Sequence, residues 1–209
     1  MPMYFGKKLL MMALLGLSAT GASAEIVDGV RQQPLPVKSQ LTYDEAMYLF
    51  NTGAKQFFLG ANDWSTRASV GNKGYQVTIT DNGDGSVLFR DRVETQNNEI
   101  KCVFADPWAP DGETLPAGNV WVDNSGAPNR FWALTNIGDD IYRFSVSSVN
   151  PDCNDANTVL GLKKSDPTDT RLYWNLAPEN AIADWYFVKI EDYEAYLTVF
   201  ANFAAAQNL

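Results

Sequence analysis

A tryptophan, an aspartate and two asparagines lie close together between residues 121 and 129, and their chemistry suits the recognition of a sugar. These residues are Trp121, Asp123, Asn124 and Asn129. An indole ring accepts the apolar face of a monosaccharide, while a carboxylate and an amide hydrogen-bond its hydroxyl groups. Because side chains alternate along a strand, Trp121 and Asp123 are expected on one side of it and the flanking valines on the other. The same residues also fit a core strand followed by a plain turn.

Two further tryptophans stand in polar segments. Trp64 lies in the loop 62–67, which also holds Asp63 and Arg67. An aromatic ring in such a loop can be a ligand platform, or a plug over the end of a barrel beside a surface Asp63–Arg67 pair. Trp108 lies in the acidic and proline-containing segment 106–113. Long loops of compact domains are usually functional or mobile, so we expect Trp108 to be the most exposed tryptophan.

The residue types argue against catalysis. The chain has no histidine, which excludes histidine-dependent serine and cysteine hydrolases and zinc sites with imidazole ligands. The segment 81–85 has the composition of a calcium loop, but its acids are three residues apart and no suitable glutamate follows, which favours a hairpin turn. We predict a non-enzyme with no metal or cofactor. A glycoside hydrolase using carboxylates alone is the remaining enzymatic alternative; it would draw on Asp106, Asp111, Glu113, Asp123, Asp139 or Asp140.

The N-terminus is typical of a secretory signal peptide. Lys7 and Lys8 precede a short apolar run, and Ala-Ser-Ala at 22–24 supplies the small residues that a signal peptidase needs. The apolar run is shorter than the ~20 residues that span a bilayer. We therefore expect residues 1–24 to be removed after Ala24 and the mature protein to be secreted, either to the extracellular space or to the periplasm.

Charge limits the partners of the mature chain. Loss of two lysines leaves 14 of the 16 basic residues against 25 acidic ones, a formal net charge of −11. Such a surface repels nucleic acid and anionic membranes.

Cys102 and Cys153 are the cysteines of the chain, and in an exported protein they are expected to pair. A bridge across about 50 residues would stabilise the fold by roughly 4 kcal/mol on the chain-entropy model; two free thiols are the alternative.

Short strands, bounded by Gly, Asn, Asp and Pro, are predicted over most of the chain. They are residues 47–50, 57–59, 75–80, 87–90, 120–122, 130–134, 141–146, 158–162, 171–176 and 185–190.

The sequence also contains an internal repeat. Residues 76–89 align with 131–144, and 184–190 begins a third copy. Segments 57–60, 120–123 and 159–161 precede the copies, and 94–119 interrupts the middle unit as an insertion. A unit of this kind cannot bury its apolar face alone, so we predict three units packed as a β-trefoil-like barrel.

Both ends of the predicted domain differ from its body. Residues 25–44 contain Pro34 and Pro36 and are interpreted as an extended linker or leader before a β domain at 45–191. Aromatic residues at three- and four-residue spacing then predict an amphipathic C-terminal helix over 192–209. We expect its aromatic stripe to pack on the β body; if exposed, it would be a docking face for another protein.

The segment 48–69 resembles the opening of a module found in exported bacterial proteins, and the later stretches 120–124, 141–144, 159–161, 184–187 and 191–196 are similar to it too. We place this module near the ricin-B-type lectin trefoils. The resemblance implies a trefoil fold and sugar binding in shallow pockets. The chain departs from that pattern because Tyr75, Arg130 and Ala183 stand where the ricin-type repeats have a glutamine. A sugar-binding repeat carries an aspartate in its second strand, and among the aligned segments only Asp123 fits.

The sequence thus predicts an all-β, β-trefoil-like protein with a C-terminal helix that binds a glycan in a shallow aromatic and aspartate-containing pocket. The alternative is a protein-interaction or structural module of the cell exterior, using the C-terminal helix and the 94–119 loop to bind an extracellular protein.

Overall fold

The computed structural model of the chain describes residues 26–27, 30–60, 67–91, 101–107, 118–123 and 126–207. Its strands are β1 (Ile26–Val27), β2 (Val30–Arg31), β3 (Met47–Asn51), β4 (Gln56–Leu59), β5 (Ser69–Gly71), β6 (Gln76–Asp81), β7 (Val87–Asp91), β8 (Lys101–Asp106), β9 (Asn119–Asp123), β10 (Phe131–Gly138), β11 (Ile141–Val146), β12 (Val159–Lys163), β13 (Tyr173–Leu176), β14 (Ala181–Ile182) and β15 (Trp185–Val188). Helix α1 (Ile190–Gln207) follows. Each strand predicted from the sequence is present, with ends displaced by a few residues.

Six of the described strands close into a ring. β3 pairs with β6, β6 with β7, β7 with β10, β10 with β11, β11 with β15, and β15 returns to β3, always antiparallel. Between them lie three hairpins, β4–β5, β8–β9 and β12–β13. Each four-strand unit therefore supplies two ring strands and one hairpin. This is the β-trefoil architecture, and it confirms the predicted fold class.

The three hairpins are bonded to one another at one end of the ring. The backbone N–H of Ala68 donates to Val120 O at 2.9 Å, that of Leu172 to Ala68 O at 2.9 Å, and that of Trp174 to Gly118 O at 2.8 Å. Ala68, Val120 and Leu172 are fully buried at this junction. The junction caps the apolar interior of the ring, and it brings the third strands of all three units side by side.

Two buried indoles show how the units correspond. Trp132 Nε1 donates to Val103 O at 2.8 Å, and Trp185 Nε1 donates to Leu160 O at 3.1 Å. Both rings are fully buried. A buried N–H without a hydrogen-bond acceptor would destabilise the fold, and these two bonds satisfy both indoles. The alignment of Trp132 with Trp185 predicted from the repeat holds, and it makes Val103 on β8 the counterpart of Leu160 on β12.

This correspondence corrects the predicted layout of the middle unit. The segment 94–119, predicted as an insertion, contains the strand β8, which is the second strand of its unit and matches β4 and β12. β9 is the third strand, so the predicted alignment of 120–123 with 57–60 and 159–161 is wrong. β8 escaped prediction because its apolar stretch, Cys102 to Ala105, is short and follows a polar segment.

The turn at 81–85 is a hairpin turn, as predicted. Gly83 has φ +77° and its N–H donates to Asp81 Oδ1 at 2.8 Å. The N–H of Ser86 donates to Asp84 Oδ1 at 2.9 Å. The aspartates therefore cap their own backbone in the manner typical of Asx turns. This accounts for the acid-rich composition of the segment without a bound cation.

Helix α1 packs on the outside of the ring through its aromatic stripe. Tyr193 and Tyr196 are buried, and Tyr193 stacks on Tyr48 with ring centroids 3.6 Å apart. The residues beneath them are Phe50, Tyr186 and Val188 on the ring and Phe57 on β4. The stripe is thus part of an aromatic core, as expected, and is not an exposed docking face. Among the described residues no helix has the length and apolar character needed to cross a membrane.

The segment before the first ring strand lies against the β body. Pro34 and Pro36 are buried. The hydroxyl of Tyr186 donates to Pro36 O at 3.0 Å, and the N–H of Ser39 donates to Phe187 O at 2.9 Å. The segment is extended, as the prolines indicate, and its backbone is bonded to the ring.

Candidate functional site

The strand β9 presents Trp121 on the side of the sheet that faces away from the core. Val120 and Val122 are fully buried, whereas the Trp121 side chain is half-buried. This is the alternation expected for the segment. Trp121 pairs with Phe104 in the β8–β9 hairpin, and two residues further along β8 its neighbour on the same face is Asp106.

Asp106 holds the Trp121 ring in place. Trp121 Nε1 donates to Asp106 Oδ2 at 2.7 Å, and Trp174 Nε1 donates to Asp106 O at 2.9 Å. A bond from an indole to a carboxylate is charge-assisted and therefore stronger than a neutral one. Two indoles thus position the last residue of β8. We call Trp121 and Asp106 the Trp121–Asp106 pair.

Sequence reasoning named Trp121 but overlooked Asp106 as its partner. In the sequence Asp106 is one acid among several, and no spacing sets it apart. Recognising Cys102 to Ala105 as a strand antiparallel to β9 would have placed Asp106 next to Trp121.

The structure tests the other predicted ligand-binding residues only in part. Asp123 ends β9, where its backbone pairs with Cys102, and its side chain is not described. Asn124, Asp63, Trp64 and Trp108 lie outside the described residues. Their roles stay predictions.

Asn129 is placed where it supports the fold. It is 1% exposed, and its Oδ1 accepts the N–H of Asp152 at 3.1 Å. Its main-chain oxygen accepts the N–H of Ala105 at 3.0 Å. Asn129 therefore joins β8 to the loop at 150–153, and its side chain is buried and not part of the surface.

The predicted bridge between Cys102 and Cys153 is not formed in the structure, where both are free and buried thiols. Strand alternation puts Cys102 on the opposite face of β8 from Val103 and Ala105. Cys153 packs with these two residues in the main core, with its Sγ 3.9 Å from Ala105 O. Burial raises the pKa of both thiols, that of Cys153 to about 12.

Buried thiols of raised pKa should be unreactive until the protein unfolds. We expect the folded protein to resist iodoacetamide at pH 8, and the urea-unfolded protein to take up one alkyl group at each cysteine. Mass spectrometry without reductant measures both states. An unfolded chain that lacks two hydrogens and takes up no alkyl group would show that the bridge forms.

Arg67 connects the middle unit to the third. Its guanidinium carbon lies 5.4 Å from the centroid of the Trp121 ring and 4.9 Å from that of Tyr173. Its Nη2 donates to Leu172 O at 3.1 Å. Burial lowers the pKa of Arg67, although an arginine stays charged at any physiological pH. The positive charge is therefore placed beside two aromatic rings, the arrangement of a cation–π contact.

Asp169 anchors the far side of Tyr173. Its carboxylate accepts Arg171 Nε at 2.7 Å, Arg171 Nη2 at 3.0 Å and the Tyr173 hydroxyl at 2.8 Å. Burial of Asp169 opposes its ionisation, but the hydrogen bonds from Arg171 and Tyr173 outweigh burial and lower its pKa to about 2. The ionised form is therefore the one that the fold stabilises.

Replacing Asp169 by asparagine should lower the free energy of unfolding by about 1–3 kcal/mol at neutral pH. An aspartate has a pKa of about 3.9 in the unfolded chain, and that of folded Asp169 is about 2. The contribution of its charge is therefore complete above about pH 4 and is lost as the pH falls towards 2. Urea unfolding of both proteins between pH 2 and 7 measures this. A stability difference that does not shrink below pH 4 would contradict the assignment.

The acids of the hydrolase alternative do not converge in the described part of the chain. Asp139 and Asp140 both lie on the β10–β11 turn with positive φ, and Asp139 forms an ion pair with Lys38. Asp106 is bonded to Trp121. The described residues also contain no cluster of three acids or cysteines that could hold a metal ion. Two open clefts, of about 410 and 360 Å³, lie elsewhere, next to Glu191 and Arg143 respectively.

Comparisons with known proteins give a fold and no family. No family model and no curated protein sequence matches the chain. Among solved structures, the lysenin pore aligns with TM-score 0.51 and 13% identity, over 75% of this chain and 50% of that one. A salivary protein from Culex quiquefasciatus, of the cysteine- and tryptophan-rich family, aligns with TM-score 0.50 and 12% identity, over 74% of this chain and 98% of that one.

A ricin B-like lectin from Macrolepiota procera, solved in complex with lactose, has TM-score 0.48 and 14% identity, over 72% of this chain and 99% of the lectin. At these identities the first two likenesses show the fold alone, and this chain spans only half the length of lysenin. The lectin alignment is too distant to support an argument about ligands. The case for a site depends on the geometry of the Trp121–Asp106 pair.

Proposed function

We propose that this chain is an exported, non-catalytic binding module that recognises carbohydrate at the Trp121–Asp106 pair. The observation that carries the proposal is the 2.7 Å bond between Trp121 Nε1 and Asp106 Oδ2. It places a carboxylate at the edge of a half-buried aromatic ring on the outer side of β9. Aromatic and carboxylate groups in contact are what a pyranose needs.

The chemistry divides between the two side chains. The indole would accept the apolar C–H face of the sugar. A carboxylate accepts several hydrogen bonds at once, so one bonded to an indole can still accept from sugar hydroxyls. Arg67, whose guanidinium lies against the same ring, places a positive charge beside it. Since the three residues come from β8, β9 and the segment just before β5, the site depends on the folded junction.

The resemblance to ricin-B-type repeats supports this choice once the strands are correctly assigned. That resemblance implies an aspartate in the second strand of a sugar-binding unit. The second strand of the middle unit is β8, and Asp106 is its last residue. The corrected alignment thus supplies an aspartate in the expected strand and next to an aromatic ring. Export to the extracellular space or periplasm of a bacterium, with cleavage after Ala24, remains part of the proposal.

A glycan panel tests the proposal directly. We expect the mature chain, residues 25–209, to bind at least one immobilised glycan, and Trp121→Ala to weaken that binding by about tenfold or more, equivalent to about 1.4 kcal/mol. Asp106→Asn should also weaken it, while Trp121→Phe should retain part of it because a ring remains. Tyr43→Ala is the matched control, since Tyr43 is an aromatic residue that is 45% exposed on another part of the surface.

Two results of the glycan panel would contradict the proposal. If glycans bind and Trp121→Ala and Tyr43→Ala have equal affinities, the site is elsewhere. If no glycan binds, the sugar proposal is wrong. The alternative of a protein-binding module would then have to use a surface other than the aromatic stripe of α1, because Tyr193 and Tyr196 are buried in the fold.

A further inference from the structure

The third unit contains a counterpart of the Trp121–Asp106 pair with the charge reversed. In the middle unit Trp121 pairs with Phe104, and Asp106 pairs with Asn119. In the third unit Tyr173 pairs with Gly161. The residue two positions after Gly161 is Lys163, which therefore occupies the place of Asp106, while Tyr173 occupies that of Trp121. An acid beside an aromatic ring has become a cation beside an aromatic ring.

The contact between the two residues is preserved as well. Lys163 Nζ lies 3.9 Å from the centroid of the Tyr173 ring, within the range of a cation–π contact. Tyr173 is only 7% exposed, whereas Lys163 is half-buried. The ring is thus too covered to accept the face of a sugar. Recognition at this place would depend on charge and not on stacking.

A second cation lies near Tyr173. Asp169 joins Arg171 to this residue, because its carboxylate accepts Arg171 Nε at 2.7 Å and the Tyr173 hydroxyl at 2.8 Å. The Arg171 side chain is 60% exposed and is held by Asp169, so it is both ordered and accessible.

The three cations around Tyr173 differ in their partners. Asp169 pairs with Arg171, and the charge of Asp106 acts on Arg67. Lys163 contacts the Tyr173 ring and forms no salt bridge in the described part of the chain.

The first unit offers no comparable pair. Its residue at the position of Trp121 is Ser69, which pairs with Leu59. It therefore has no aromatic ring to support a charged neighbour. The comparison separates the units by chemistry: an acid with a ring in the middle unit, a cation with a ring in the third, and no ring in the first.

We infer that Lys163 and Arg171 form a subsite for the carboxylate of an acidic sugar, which makes the ligand of this module a uronic-acid-containing glycan. The inference rests on the proposed carbohydrate-binding function and specifies its ligand class. Arg67 contacts the rings of both units, so one oligosaccharide could place a neutral face on Trp121 and a carboxylate at Lys163.

The experiment compares trigalacturonate with the same trisaccharide after reduction of its carboxylates, by calorimetric titration of the mature chain. We expect the acidic form to bind at least tenfold more tightly at 50 mM salt. Lys163→Gln should remove most of that difference, and Lys163→Arg should retain it. The matched control is Lys164→Gln, which deletes the same charge from an exposed neighbour whose Nζ donates to Glu179 O at 2.8 Å. Thermal unfolding of each variant verifies that it is folded.

Each outcome decides the inference. Equal affinity for the acidic and reduced forms, no binding of the acidic form, or equal losses in Lys163→Gln and Lys164→Gln would overturn it. Failure of the underlying proposal looks different. If Trp121→Ala leaves binding of a neutral glycan unchanged, the Trp121–Asp106 site is wrong. The role of Lys163 is then still decided by the comparison of the acidic and reduced trisaccharides.

Discussion

Replacing Trp185 by alanine should lower the free energy of unfolding by about 3–5 kcal/mol. The ring is fully buried in the core of the barrel, so its removal leaves a large cavity. The variant also leaves Leu160 O without the indole N–H that bonds it at 3.1 Å. Because a small domain is stable by only about 5–15 kcal/mol, this single change should bring the protein close to unfolding at room temperature.

Urea unfolding, followed by circular dichroism, measures this loss. Trp132→Ala should have a similar effect because Trp132 has the corresponding position and bonds Val103 O in the same way. Trp185→Phe is the control, since it keeps an aromatic ring in the core while it loses the N–H and part of the ring volume, and it should cost clearly less than alanine. A loss below about 1 kcal/mol in both alanine variants would contradict the threefold core described for this barrel.

Ending the chain after Lys189 should destabilise the β body as well as remove the helix. Helix α1 buries Tyr193 and Tyr196 on the β body, where Tyr196 lies in edge-to-face contact with Phe50 and Phe57. Truncation exposes this aromatic surface to water, and buried aromatic side chains each contribute about 3 kcal/mol or more. We expect a truncated protein that is largely insoluble or that binds a hydrophobic dye strongly.

A point variant keeps the test informative if the truncated chain does not fold. Tyr196→Ala should lower the free energy of unfolding by about 3 kcal/mol, whereas Glu194→Ala, on the exposed side of the same helix, should change it by less than about 0.5 kcal/mol. Thermal unfolding of both variants measures the difference. Equal stabilities would mean that the helix is not packed on the ring in solution. Because the helix contributes to the core, its deletion is not a suitable test of whether the protein binds another protein through this helix.

Most local structure could be predicted from the sequence. The strand segments were recognisable because β-branched and aromatic residues alternate between turn residues, and a hairpin turn needs only neighbours a few residues apart. The pair Asp81 and Gly83 closes a turn whatever the rest of the chain does. The amphipathic helix was recognisable for the same reason, since the spacing of Tyr193 and Tyr196 defines a face without reference to the ring beneath it.

The site itself depended on information that the sequence does not carry locally. Which strand lies next to β9 is decided by long-range pairing, and a short strand in a polar segment was mistaken for part of an insertion. That one error moved the expected acid from Asp106 to Asp123. The cysteines show the same limit, because predicted export suggested a bridge, whereas strand alternation places the two thiols on different sides of β8.

By itself, the sequence determined that this is a three-unit β protein with a C-terminal helix and no histidine chemistry, because composition and periodicity are properties of the chain alone. The tertiary structure decided which side chains meet. Trp121 meets Asp106, and Tyr173 meets Lys163, because the hairpins fold back in register. Arg67 reaches both rings because the cap brings the three units together. The first two contacts form within single hairpins, whereas Arg67 is far from both rings in the chain and meets them only where the cap joins the units.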